Sequence, residues 1–176
     1  YSVSCETGQR LRYGADGIFT RDEAHELVRL AASAGVLSCV HTAGVYFHEG
    51  WMTTKSDADA RAHYFFAARH GHSVAQVDLG HMLFESSTNK EQDLEAVQWW
   101  RKAAEQDSPA GLYNLANAYW QGRGVTQDDS HAVQLFTKAL EAGSMRASLA
   151  LAEAALEGRG TPRDLKRAGS MISVAL

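Results

Sequence analysis

Histidine is the residue type in this chain best suited to chemistry. There are eight, and two pairs stand seven apart, His41 with His48 and His63 with His70. Seven residues make two helical turns, so each pair shares a helix face. Zinc needs three or four ligands, and ligands on one helix usually stand three or four apart. No cysteine or carboxylate completes such a spacing, so the histidines are read as solvated or partly packed, and no metal is assigned. Imidazoles titrate near pH 6, which leaves them a role in making binding pH-sensitive between about pH 5 and 7. Gly122-Arg123-Gly124 and Gly158-Arg159-Gly160 have the look of phosphate-cradling loops. Each follows a helical pattern rather than a strand, however, and no Gly-Lys-Ser/Thr is present, so both are read as turns. No serine or cysteine stands near a recognisable base motif, and Glu95 and Asp129 fall at helix starts, where the helix dipole explains them. The chain therefore reads as a non-enzyme, without catalytic residues or cofactor.

Bulk composition narrows the partner. In 176 residues, 45% are hydrophobic, 22% are charged and the net charge is −4. That is ordinary for a globular protein with a sizeable core. It supplies no basic patch for nucleic acid or an anionic membrane. No stretch reaches the roughly 18 apolar residues of a bilayer-spanning helix, so no membrane insertion is expected. Tyr1–Arg10 has no apolar signal-peptide core. Cys5 and Cys39 do not make a disulfide framework, although two cysteines leave a single bridge open. The start at Tyr1 and the stop at Leu176 inside a repeat suggest an excerpt or a processed form.

These residues are carried by a repeat of 36. Gly35, Gly71, Asp107 and Gly143 are evenly spaced, each preceded four residues earlier by alanine, and Ala24, Ala60, Ala96, Ala132 and Ala168 keep the same interval. A repeat of this length across nearly the whole chain means a solenoid, with units at 1–36, 37–72, 73–108, 109–144 and 145–176. Each unit has two apolar stripes at helical spacing. The first, helix A, carries a small residue beside a large one and closes at Gly50, Ser86, Gly122 and Gly158. The second, helix B, carries Val28, Tyr64, Trp100, Phe136 and Ile172 at one register position, which assigns Trp100 to the core. Trp99 aligns with Leu27 and Leu135 and is likewise read as packing. The patterns predict A helices at 2–13, 37–49, 73–85, 109–121 and 145–157. B helices are predicted at 20–34, 57–70, 92–106, 128–142 and 164–175, with no strands. Ser108 and Pro109 suit an N-cap and first helical residue, and Thr20, Thr126 and Thr161 suit capping boxes.

Leu115-Ala116-x-x-Tyr119-x-x-Gly122-x-Gly124-Val125, followed by an acidic pair, Ala132, Phe136 and Ala139-x-x-x-Gly143, resembles the Sel-1-like repeat, a relative of the tetratricopeptide repeat. The resemblance is strongest in the fourth unit. The third departs from it, with Ser86–Lys90 in place of the glycine turn and Asp107 in place of the terminal glycine.

The resemblance implies an all-α, right-handed superhelix of about five antiparallel helix pairs, with A helices lining a concave face. It also implies an adaptor or scaffold that binds a protein or peptide there. Positions on the A helices not spent on packing would then face the partner. These are His41, Val45, His48 and Glu49; Val77, His81, Phe84 and Glu85; Tyr113, Asn117, Trp120 and Gln121; and Glu153 and Glu157, with Ala110 and Arg146 in the same register. Phe84, Trp120 and Leu156 form one column that alternatively packs between neighbouring A helices. The glutamates suggest a partner with apolar anchors and some basic residues. Two other functions stay open: a regulatory or substrate-docking module of an enzyme whose catalytic domain lies elsewhere, and a structural spacer. The apolar end of the fifth unit, Met171 to Leu176, would suit a continuing array, a partner or a second copy.

Overall fold

The computed structural model describes residues 32–50 and 54–175, together with Glu26 and Leu30. The helix pair expected at 2–13 and 20–34 lies almost wholly outside them. Eight helices and no strands are present among the described residues: α1 Leu37–Glu49, α2 Asp57–Arg69, α3 Ser73–Glu85, α4 Lys90–Ala104, α5 Pro109–Gln121, α6 Asp129–Glu141, α7 Met145–Glu157 and α8 Leu165–Ala175. All four A-helix ranges agree with the sequence pattern, and the B helices agree to within two residues at either end. The chain falls into two compact units, Tyr1–Ala75 and Gln76–Leu176.

Local chemistry explains the boundaries. Helices α1, α5 and α7 stop at Gly50, Gly122 and Gly158, all left-handed. Ser108 caps α5 by accepting from the Gly111 N–H at 3.3 Å, with Pro109 behind it. The caps expected at Thr126 and Thr161 lie elsewhere. Asp128 accepts from the His131 N–H at 2.9 Å, and Asp164 accepts from Lys166 and Arg167, both at 3.0 Å. A carboxylate adjoining the first helical residue reaches the orphan N–H groups and complements the dipole, whereas each threonine stands too far upstream. In the aberrant third repeat, side chains replace the glycine turn. Asn89 accepts from the Gln92 N–H at 2.9 Å, and Gln92 accepts from the Thr88 N–H at 2.8 Å. Asp107 takes the left-handed conformation of the glycine it replaces, with φ 55°, at a cost on the order of 1 kcal/mol.

In the first unit, α1 packs on α2, with Tyr46 and Tyr64 buried. Cys39 is also buried and is disulfide-bonded. In the second unit the core runs through Val97, Trp100, Leu112, Leu115, Phe136 and Leu151. Packing of α3 on α4 is close enough that a Cβ on Gly80 would lie 2.5 Å from Trp100 Nε1. Gly80 is therefore glycine because the largest residue of the helix B column faces it; Phe136, which is smaller, shares its core with Ala116.

Candidate functional site

The two Gly-Arg-Gly turns are more than turns. The Arg123 guanidinium stands over the Phe84 ring, its Cζ 3.7 Å from the centroid, and its Nη2 donates to the Phe84 carbonyl at 2.8 Å. Its Nε donates to Asp93 Oδ2 at 3.0 Å, while Nη2 stands 2.8 Å from Oδ1. One repeat later the arrangement recurs. Arg159 covers Trp120 at 3.8 Å, donates to the Trp120 carbonyl at 2.5 Å and pairs with Asp129 at 2.8 Å. Each arginine thus joins the end of the preceding helix A to the start of the preceding helix B. The second glycine permits this: Gly124 has φ 73°, and a Cβ there would meet the Asp93 carbonyl oxygen at 2.5 Å. The Arg159 hydrogen bond holds the Asp129 carboxyl below its ordinary range, and Asp129 in turn raises Arg159.

The Arg123 staple holds Phe84, which forms one wall of a groove of about 750 Å³ in the second unit, lined by successive A helices. From α3 come Val77, Asp78, His81 and Phe84, and from α5 come Tyr113, Asn114, Asn117 and Gln121. Met145 and Arg146 from the start of α7 close the lining, with Trp100 beneath. Trp100 is buried and donates its Nε1–H to the Val77 carbonyl at 3.2 Å. Tyr113 is half-buried between the Phe136 ring at 5.6 Å and the Arg146 guanidinium at 5.2 Å. His81 pairs with Glu85 at 3.3 Å.

The residues proposed from sequence divide into three groups. Val77, His81, Phe84, Tyr113, Asn117 and Gln121 are brought together in the groove. Trp120 lies beneath Arg159 and packs edge-on to Phe136 at 6.2 Å, outside the lining. Glu85, Glu153 and Glu157 are exposed and also outside it. In the first unit His41 is buried, stacked on His72 at 5.1 Å and close to Tyr64 at 5.4 Å. Val45 is half-buried, His48 pairs with Asp57 at 3.3 Å, and Glu49 is exposed. No cluster of three metal-ligating side chains occurs among the described residues. Sequence reasoning missed Asn114, Asp78 and the staple. The signal for the staple was available, because Arg123 and Arg159 share a register position, as do Asp93 and Asp129.

Known proteins share this architecture. A protective antigen of uropathogenic Escherichia coli with an SLR fold superposes with TM-score 0.89 at 30% identity, over 97% of this chain and 36% of that one. A Sel1 repeat protein from Oxalobacter formigenes gives 0.86 at 26% identity, over 97% and 68%. An uncharacterised protein of Neisseria meningitidis serogroup B is 33% identical over 115 residues, 65% of this chain and 23% of its own length. The chain thus spans about a quarter of that relative and about a third of the antigen. Sel1 repeats are generally protein–protein interaction modules. Residues 5–36, 38–72, 73–108, 109–144 and 146–169 each match the Sel1 repeat, and with a matching helical structure around them the chain belongs to the Sel1 repeat family.

Proposed function

We propose that this chain is an interaction scaffold that binds a protein or peptide segment along the A-helix face, in the groove between α3, α5 and α7. One observation carries the reading: side chains with unused bonding capacity line the groove. Tyr113, Asn114 and Asn117 are half-buried there, and their side chains make no hydrogen bond among the described residues. Half-buried polar groups without partners weaken a fold unless water or a ligand satisfies them. Tyrosine in a groove is also a common binding anchor.

The test is selection of a random peptide library on the folded chain, followed by amide chemical-shift mapping of an enriched peptide. Shifts concentrated on α3, α5 and the start of α7, and binding lost in a Tyr113→Ala variant with unchanged circular dichroism, support the groove. Shifts confined to the outer faces of α4 and α6, or affinity unchanged in that variant, would remove it.

A further inference from the structure

The chemistry of the groove also selects its occupant. Three titratable side chains line it, and two are committed: Asp78 is held in an interaction of its own, and His81 is paired with Glu85 at 3.3 Å. Arg146 is different. Its guanidinium lies over the Tyr113 ring at 5.2 Å, is exposed, and has no carboxylate partner among the described residues. The glutamates that suggested a basic partner stand outside this lining. Inside it, the uncommitted charge is a cation.

Asn114 and Asn117 lie three residues apart on α5, so both project from one helix face into the groove. A primary amide offers a donor and an acceptor side by side, which matches the C=O and N–H of an extended backbone and matches neither a helix, whose backbone is already paired, nor a lipid. Alongside them Val77, Phe84 and Tyr113 present an apolar wall. An arginine fork laid on an aromatic face is pre-organised for bidentate contact with a carboxylate.

Resting on the groove being the binding site, we infer that its occupant is an extended peptide segment carrying an internal aspartate or glutamate beside a large apolar residue. The carboxylate meets Arg146, the apolar side chain lies on Phe84 and Tyr113, and Asn114 and Asn117 bracket the backbone. The chain's net charge of −4 gives such a segment no long-range attraction. Discrimination therefore comes from the short-range contact.

The test uses a library displayed through its C-terminal end, so that no free terminal carboxylate is offered, and the enriched peptides are then made with amidated C-termini. The expected consensus is one acidic residue at fixed distance from one large apolar residue. Changing that acid to its amide, or Arg146→Ala, should weaken binding roughly tenfold. Arg146→Glu should select lysine or arginine at the same position, with circular dichroism unchanged. Asn114→Ala with Asn117→Ala should weaken all enriched peptides alike. Peptides that need Tyr113 but carry basic residues, bind only with a free C-terminus, or are indifferent to Arg146→Glu would overturn the acidic occupant while leaving the groove in place. Binding that is independent of Tyr113, or the absence of any enriched peptide, would overturn both.

Discussion

His48 and Phe84 occupy one register position in two units of the molecule, and Asp57 and Asp93 occupy another. Their surroundings could hardly differ more. In the second unit Phe84 is covered by Arg123, and Asp93 is left only 12% exposed beneath the same guanidinium. In the first unit Asp57 is 63% exposed, with His48 at 3.3 Å and Lys55 at 4.0 Å as its partners. Position 87, one repeat before Arg123, is serine, whose hydroxyl is spent on the Asn89 carbonyl at 2.9 Å. Within the second unit, an aspartate at the start of helix B becomes part of the frame because the following turn supplies an arginine.

The comparison breaks most severely at the glycine that seats the staple. Gly124→Val forces a β-branched residue into a left-handed conformation and drives its Cβ into the Asp93 backbone. A loss of about 3 kcal/mol or more in urea unfolding is expected. Arg123→Met comes next. It keeps the apolar stem on Phe84 but leaves Asp93 nearly buried without a counter-charge, which should cost about 2 kcal/mol. The same variant should weaken peptide binding, because Phe84 is a groove wall held in place by that guanidinium. A loss no larger than that of an ordinary surface substitution would mean the staple is decoration.

Acid should loosen the second staple. The carboxyl of Asp129 is held below its ordinary value near 3.8, chiefly by the hydrogen bond from Arg159. A group whose folded pKa is depressed contributes stability that is present above its unfolded pKa and lost as pH falls through the folded one. Melting temperature should therefore fall below about pH 4, and the part of that fall due to this pair should be missing in Asp129→Asn, whose stability is already reduced at neutral pH. Superimposable acid limbs for the two proteins would exclude the pair. The effect is smaller than that of Arg123→Met, because Asp129 and Arg159 are 27% and 30% exposed and solvent screens them.

What the sequence made legible follows from what repeats. Helix A limits came out to the residue because small residues, left-handed glycines and apolar stripes recur every 36 positions, and these are local, periodic signals. Trp100 was placed in the core by its column alone. The staple escaped because its partners lie 30 and 39 residues apart, so that the Gly-Arg-Gly turn looks complete by itself; only alignment of the arginine and aspartate columns joins them. Register makes Trp120 a groove residue because it fixes the direction of a side chain and not how far along the helices a groove runs; Phe84, one repeat earlier and under its own guanidinium, does line it. Asn114 was passed over for a related reason. It adjoins Tyr113 in the column of Asp78, which the pattern assigns to neither core nor groove, and both line the groove.

The weakest prediction is the one that most sharpens the comparison. His48 Nδ1 and Asp57 Oδ1 are 3.3 Å apart, with side chains 43% and 63% exposed, and the contact is ionic only when His48 is protonated. Exposed pairs of this kind contribute a few tenths of a kcal/mol. His48→Ala should therefore shift stability by no more than about 0.5 kcal/mol in urea unfolding, and a loss as large as that of Arg123→Met would show that Asp57 is held as firmly in the first unit as Asp93 is in the second.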